Sequence, residues 1–194
     1  MSEPKRKPES TSESLYEKSP SGNRPEKPAA GSHCGSCGAP YTASVTWPRT
    51  CTACGSTAYR NPLPVAVALL PVIDRDGTAL VVITRTIPPH RGGLALPGGY
   101  IDHDEDWKHA VVRELGEETG IGADEREVRL ADALSAPDGH LLLFGLLPPR
   151  PAAALPPSGP TAETSGFQLL RAPTGLAFPL HTRAVRTWFD GGYR

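Results

Sequence analysis

From Gly99 to Ile121 the chain reads G-x5-E-x7-R-E-U-x-E-E-x-G-U, with U apolar. Every fixed position is filled, by Gly99, Glu105, Arg113, Glu114, Leu115, Glu117, Glu118, Gly120 and Ile121. Glu114, Glu117 and Glu118 stand at i, i+3 and i+4, so a helix there projects three carboxylates from one face. Like charges on adjacent turns cost helix stability unless a cation lies among them. Carboxylates suit hard divalent ions, which keep several waters and take phosphate oxygens as further ligands. The pattern therefore fits a site that orients a diphosphate and presents it to a metal-activated water. A merely solvated acidic face is the plainer alternative, but it leaves the spaced glycines and the Arg113-Glu114 pair unexplained.

The flanks support a helix on their own terms. Asp102, Asp104 and Asp106 supply helix-start chemistry, and Trp107, Val111 and Leu115 recur at four-residue spacing, which predicts one buried face opposite the acidic one. Gly120 reads as the stop, and Gly98-Gly99 permits a backbone turn that side chains would resist. Gly116 costs about 1 kcal/mol against alanine in a helix interior, and close packing is the expected reason for it.

Those residues, together with the Leu96-Pro97-Gly98-Gly99 stretch leading into them, match the signature of the Nudix hydrolases. The resemblance implies a loop-helix-loop site on an α/β/α sandwich with a mixed sheet, hydrolysing a nucleoside diphosphate linked to another moiety with Mg²⁺ or Mn²⁺. It implies Glu114, Glu117 and Glu118 as metal ligands, with Glu114 also a candidate general base. Arg113 then orients Glu114, and Glu105 either braces the loop or joins a second metal. Gly98 and Gly99 form the phosphate-side loop. Glu163, before the last strand, takes the place of the further acid that family members bring from a late loop.

The four cysteines of the chain fall as Cys34-Gly-Ser-Cys37 and Cys51-Thr-Ala-Cys54, each pair followed by glycine. Two C-x2-C-G knuckles bring four thiolates to one tetrahedral ion, and the glycines allow the tight turns. This reads as a small four-cysteine zinc ribbon ahead of the enzyme, with Zn²⁺ in a structural role because a closed site leaves no open position for catalysis. Disulfides are the less natural reading in a reducing compartment. Arg49 and Arg60 with Tyr41, Trp47 and Tyr59 could instead offer a small basic aromatic surface to a nucleic acid. His33 precedes Cys34, but four cysteines already fill the site.

With 194 residues, 38% of them hydrophobic, the chain can bury one ordinary core and a small module. The expected organisation is a disordered polar tail over 1–30, the ribbon over 31–60 and the Nudix domain over 61–194. A net charge of -1 gives no general attraction to nucleic acid or anionic membrane, so nucleotide binding has to be local. No apolar segment is long enough to span a bilayer and the first residues do not resemble a leader, which makes the cytoplasm the expected location. In the tail, glutamates nearly cancel Lys5-Arg6-Lys7.

Val65 to Ile73 and Ala79 to Thr84 read as two buried strands separated by Asp76-Gly77. Val128 to Leu134 and Leu141 to Leu147 read as two more around the Pro137-Asp138-Gly139 turn. Pro148 to Pro160 is expected to be a surface loop and Phe167 to Arg171 a returning strand. Pro179 to Asp190 reads as a helix covering the sheet, with Leu180, Ala184, Val185, Trp188 and Phe189 on its apolar side. His181, at its start, reads as a surface or satisfied histidine. Arg85, His90 and Arg91 could meet phosphate or ribose, and Tyr100, Trp107 and Phe144 are candidate stacking partners for a base.

A ribbon joined to such a domain resembles the NADH pyrophosphatase branch of the family. That branch carries a Ser-Gln-Pro-Trp-Pro-Phe-Pro-type array after the box, whereas Leu130 to Gly139 has none. Members that cleave ADP-ribose resemble one another in a proline past the box, and Pro137 falls close to that place. The expected substrate is thus an ADP-ribose-like molecule, a dinucleotide or a nucleotide sugar. The alternative is a nucleotide-sensing or nucleic-acid-associated binding module, and a third reading keeps the enzyme with a capped RNA as substrate. Family resemblance leaves a homodimer open.

Overall fold

The computed structural model describes residues 31–42 and 46–193, so the tail expected over 1–30 lies outside the described residues. The chain forms two compact units, Met1–Arg60 and Asn61–Arg194. In the first, β1 (Arg49–Thr50) pairs antiparallel with β2 (Thr57–Ala58), and an isolated bridge joins His33 to Pro40. These two ladders carry the two cysteine knuckles.

The second unit begins with β3 (Leu63–Leu69), β4 (Pro71–Asp74) and β5 (Gly77–Arg85), followed by the short strands β6 (Leu94–Ala95) and β7 (Gly98–Tyr100). Helix α1 (Trp107–Thr119) follows, then β8 (Arg129–Ser135), β9 (His140–Leu146), β10 (Arg150–Pro151), β11 (Thr164–Leu170) and helix α2 (Pro179–Phe189). One sheet is mixed, in the order β7-β3-β9-β8, with β3 and β9 parallel; the other runs β10-β4-β5-β11, with β6 also on β5. Among the described residues no helix is long and apolar enough to cross a membrane.

Successive residues of a strand face opposite ways, and here both faces are covered. Ala66, Ala68 and Val81 pack with Ala110, Val111 and Leu115 of α1, whereas Val67, Leu69, Leu80 and Val82 pack with Ala184 and Val185 of α2. That two-sided burial is why the strands read as continuous apolar runs rather than alternating ones. Fully burying each such Val or Leu contributes about 1.5–3 kcal/mol. The expected α/β/α layering with a mixed sheet is what the chain adopts.

The run from Val65 to Ile73 is not one strand. It divides at Leu70, so that β3 belongs to the mixed sheet and β4 to the other. Pro71 has no N–H to offer a ladder, which favours a break there. The carbonyls beside it serve different partners: Leu69 accepts from Leu147 N–H and Leu70 from Val81 N–H. The Pro148 to Pro160 segment also holds more order than a plain loop, since Arg150 and Pro151 pair in parallel with Val72 and Ile73.

Candidate active site and cysteine cluster

Helix α1 starts and stops where its sequence says it should. Asp106 caps it by accepting the Lys108 N–H at 2.8 Å, and Gly120 ends it at φ 74 with its N–H on Gly116 O. Val111 and Leu115 are buried, with Trp107 packed at the margin of the same core. A Cβ on Gly116 would meet nothing within 4 Å, so close packing is not the reason for that glycine.

The acidic face is organised by Arg113. Its Nε and Nη2 donate to the two Glu105 oxygens at 2.7 and 2.9 Å, and its Nη1 donates to Glu114 Oε1 at 2.7 Å and to Glu117 Oε2 at 3.3 Å. Nη2 also donates to the Tyr100 carbonyl, which ties the helix to β7. Glu105 accepts the Asp102 N–H as well. The Arg113 guanidinium holds the Glu105 carboxyl down at about 2, so both of its oxygens remain available to the arginine. That is the geometry of a loop brace.

Glu114 and Glu118 lie deeper and behave differently. Burial pushes the Glu114 carboxyl up against the lowering effect of Arg113, and the charges of Glu117 and Glu163 push it the same way. Glu118 is 4% exposed, and its carboxyl is raised to about 7 by burial first, with Glu114 and Glu163 adding to the effect. It accepts the Gly98 N–H at 2.8 Å. Glu117 points outward with 60% of its side chain exposed. The structure thus brings Glu114, Glu117, Arg113 and Glu105 into one hydrogen-bonded group, sets Glu118 against Gly98, and brings Glu163 within electrostatic range. A partly desolvated set of mutually repelling carboxylates is the donor chemistry that hard cations need.

Both glycines of β7 are there because of close approach. A Cβ on Gly99 would lie 2.4 Å from Glu114 Oε1, and one on Gly98 would lie 2.4 Å from the Ala66 carbonyl oxygen and 2.9 Å from Val67 Cα. Gly99 makes room for the carboxylate, while Gly98 makes room for the neighbouring strand.

Two residues hold this arrangement, the first of them one that sequence reading passed over. Thr164, fully buried at the start of β11, donates to the Glu118 carbonyl at 2.9 Å and accepts the Gly166 N–H, so the strand end next to Glu163 is pinned to the last turn of α1. Nothing local marks a threonine for that role, because its partner lies 46 residues away. His181, read as a surface or satisfied histidine, is the satisfied kind, buried between the rings of Phe144 and Phe178. Leu96 N–H donates to its Nδ1 at 3.2 Å, which fixes Nδ1 as the unprotonated nitrogen. Burial, and secondarily Arg85, hold the ring neutral by lowering it to about 3. The imidazole thereby secures the entry to the glycine turn.

Other candidates fare unequally. Arg85 is committed to the loop, donating to the Pro89 and Pro88 carbonyls with its guanidinium 5.2 Å from the Phe178 ring centre. Phe144 is fully buried and cannot stack on a ligand, whereas Tyr100 is 56% exposed beside Gly99. Its hydroxyl is hydrogen-bonded to His140 Nε2 at 3.0 Å, and His140 Nδ1 lies 2.7 Å from Asp138.

In the first unit the sulfurs of Cys34, Cys37, Cys51 and Cys54 all lie within 4.8 Å of one another. The two knuckles repeat one backbone pattern, with Gly38 N–H on Cys34 O and Gly55 N–H on Cys51 O. The Cys34–Cys54 and Cys37–Cys51 sulfur separations are both 3.7 Å. A disulfide needs about 2.05 Å, while four sulfurs at about 2.3 Å from one tetrahedral ion stand about 3.8 Å apart. The spacing is compatible with one tetrahedral ion and not with disulfides. His33 is not part of the cluster. Arg49, the centre of the alternative nucleic-acid surface, lies 4.4 Å from the Trp47 ring centre and donates to the Gly31 carbonyl.

Residues 62–183 match the family model described as the NUDIX domain. An ADP-ribose pyrophosphatase of Methanocaldococcus jannaschii is 32% identical over 134 residues, which span 67% of this chain and 76% of the relative. Among solved structures, a NUDIX hydrolase from Nitrosomonas europaea superposes with TM-score 0.60 at 22% identity, covering 81% of this chain and 90% of that one. The NUDIX domain of Shewanella oneidensis NrtR, complexed with ADP ribose, gives TM-score 0.57 at 19% identity, covering 69% and 90%. At such identities these two structures speak for the fold alone. With the family model spanning most of its second unit and a relative matched over three quarters of its length, the chain belongs to the Nudix hydrolase family.

Proposed function

We propose that this protein hydrolyses the phosphoric anhydride of a nucleoside diphosphate linked to a second moiety, with ADP-ribose-like molecules as the substrate class. Water adds to one phosphorus, the bridging P–O bond breaks, and the products are a nucleoside monophosphate and a phosphorylated partner fragment. The observation that carries this reading is the Arg113-centred carboxylate group set against Gly98 and Gly99. Identity to the Methanocaldococcus ADP-ribose pyrophosphatase supports the substrate class.

Glu114, Glu117 and Glu118 would hold Mg²⁺ or Mn²⁺. Bound there, the ions supply charge neutralisation of the diphosphate and acidify the attacking water. Glu114 is suited to accept a proton because burial raises its carboxyl. Arg113 fixes its rotamer, Glu105 fixes Arg113, and Glu163 adds a further carboxylate. In the first unit, Cys34, Cys37, Cys51 and Cys54 would hold a structural Zn²⁺, making residues 31–60 a ribbon ahead of a Nudix domain over 61–194. A reducing, cytoplasmic setting suits four thiols of this kind.

The test is product identification on a panel of ADP-ribose, NADH, nucleotide sugars, a nucleoside triphosphate and capped RNA, with Mg²⁺ or Mn²⁺. Release of AMP and ribose 5-phosphate at the highest kcat/KM is expected. No turnover on any diphosphate, with nucleotide binding intact, would favour a sensing module instead.

Glu118 gives a pH dependence with a defined sign. Its carboxyl sits above the ordinary 4.5, at about 7, so without cations it contributes stability that is full below 4.5 and lost as pH rises through 7. A cation binding the ionised form offsets that loss. The rise in Tm on adding Mg²⁺ should therefore grow between about pH 5.5 and about pH 8, with protons released on binding and taken up again on chelation. A calorimetric increment independent of pH would contradict the assignment of Glu118 as a ligand.

A further inference from the structure

Tyr41 Oη is the one buried side-chain nitrogen or oxygen without a hydrogen-bond partner among the described residues. Leaving a buried hydroxyl unsatisfied costs about 1–3 kcal/mol, and such a group calls for an acceptor that the site supplies in another state. The backbone says which acceptor that is. Cys34 N–H donates to Ala39 O, His33 bridges Pro40, and Tyr41 N–H donates to Ser32 O, so 32–34 and 39–41 run antiparallel. Partners alternate faces along such a pair, which puts Tyr41 and Cys34 diagonally on one face.

Cys34 is the cysteine best prepared to accept. The Ser36 N–H already points at its sulfur at 3.4 Å, and Cys34 is itself buried. A thiolate in that position carries charge that the Cys37 and Ser36 backbone amides neutralise only partly, and a phenolic O–H on the same face adds to them. On the reading that the four cysteines hold Zn²⁺, we propose that Tyr41 is a positioning residue of that site, its hydroxyl donating to the Cys34 thiolate when the ion is bound. The hydrogen bond orients the ligand and lowers the electron density that its sulfur presents to the metal. Arg49 keeps the ring in place from outside, with its guanidinium 5.6 Å from the Tyr41 centroid.

Tyr41→Phe removes the hydroxyl and leaves the ring. In the full chain, zinc affinity measured by competition with a chromophoric chelator should fall about 10–100-fold, the usual effect of losing a group that orients a ligand. Replacing zinc with Co²⁺ gives a readout that packing alone would not move: without the O–H donor, the sulfur-to-cobalt charge-transfer band should shift to longer wavelength. Wild-type protein that takes up no zinc would overturn the metal site and the proposal together. Stoichiometric zinc in the wild type, with unchanged affinity and an unchanged cobalt band in Tyr41→Phe, would overturn the role of Tyr41 alone.

Discussion

A Glu114→Gln protein should keep its fold and lose about three orders of magnitude in kcat, equivalent to about 4 kcal/mol of transition-state stabilisation. The amide is isosteric, fits the space left by Gly99, and still offers an oxygen to Arg113 Nη1, which now sits 2.7 Å from Glu114. Stability should be little changed, because burial already disfavours the charge that the substitution removes. Catalysis should suffer because the amide cannot supply an anionic ligand or accept a proton. Steady-state kinetics and a melting curve on the same preparation separate the two effects. A kcat within tenfold of wild type would reject Glu114 as ligand and base, while a collapsed melting curve would make its role structural.

The two adjacent glycines should fail in opposite ways. In Gly99→Ala the new methyl would lie 2.4 to 2.7 Å from three atoms of the Glu114 carboxylate, the mobile end of a side chain. That carboxylate can swing away, so the fold should survive while activity drops about a hundredfold, as expected when a reacting group is displaced by about 1 Å. In Gly98→Ala the methyl would meet the Ala66 carbonyl at 2.4 Å and Val67 Cα at 2.9 Å, both backbone of β3. Neither can rotate aside, and the strand itself must move. That should cost about 3 kcal/mol, at the upper end for overpacking, and should also loosen the Glu118 carboxylate from the Gly98 N–H. Denaturant melts read the difference directly, and equal destabilisation by the two alanines would show that the contacts are not as described.

The residues that a short window can specify were legible before any coordinates. A start of α1 among Asp102, Asp104 and Asp106, its stop at Gly120, the buried Val111 and Leu115, and the side-by-side carboxylates all follow from local sequence, and the structure selects Asp106 as the cap. The turn at Gly139 and the face of α2 bearing Ala184 and Val185 were legible for the same reason. What escaped was set by distant chain. The division of the first apolar run at Leu70 depends on which sheet each half joins, and buried strands of either sheet carry the same residues. Thr164 was opaque because it is defined by a backbone group far away in sequence, the Glu118 carbonyl, and the choice between a surface and a satisfied His181 turned on another, the Leu96 amide. Hydrophobic periodicity carries no record of such pairings. The packing role expected of Gly116 failed for a related reason, since a helix position alone does not say what lies opposite it.

The crossing at Leu70 bears on how the molecule can adapt to different ligands. Because a single uninterrupted stretch of main chain stitches both sheets together, with neighbouring carbonyls at Leu69 and Leu70 each gripped by a different sheet, the sheets cannot shear or part without tearing the centre of the protein. Plasticity is therefore pushed out to the periphery. Variation in what the carboxylate site accepts should be sought in the segments that link strands, such as residues 86–93 and 171–178, and relatives that accept other molecules should differ there while superposing through the seam.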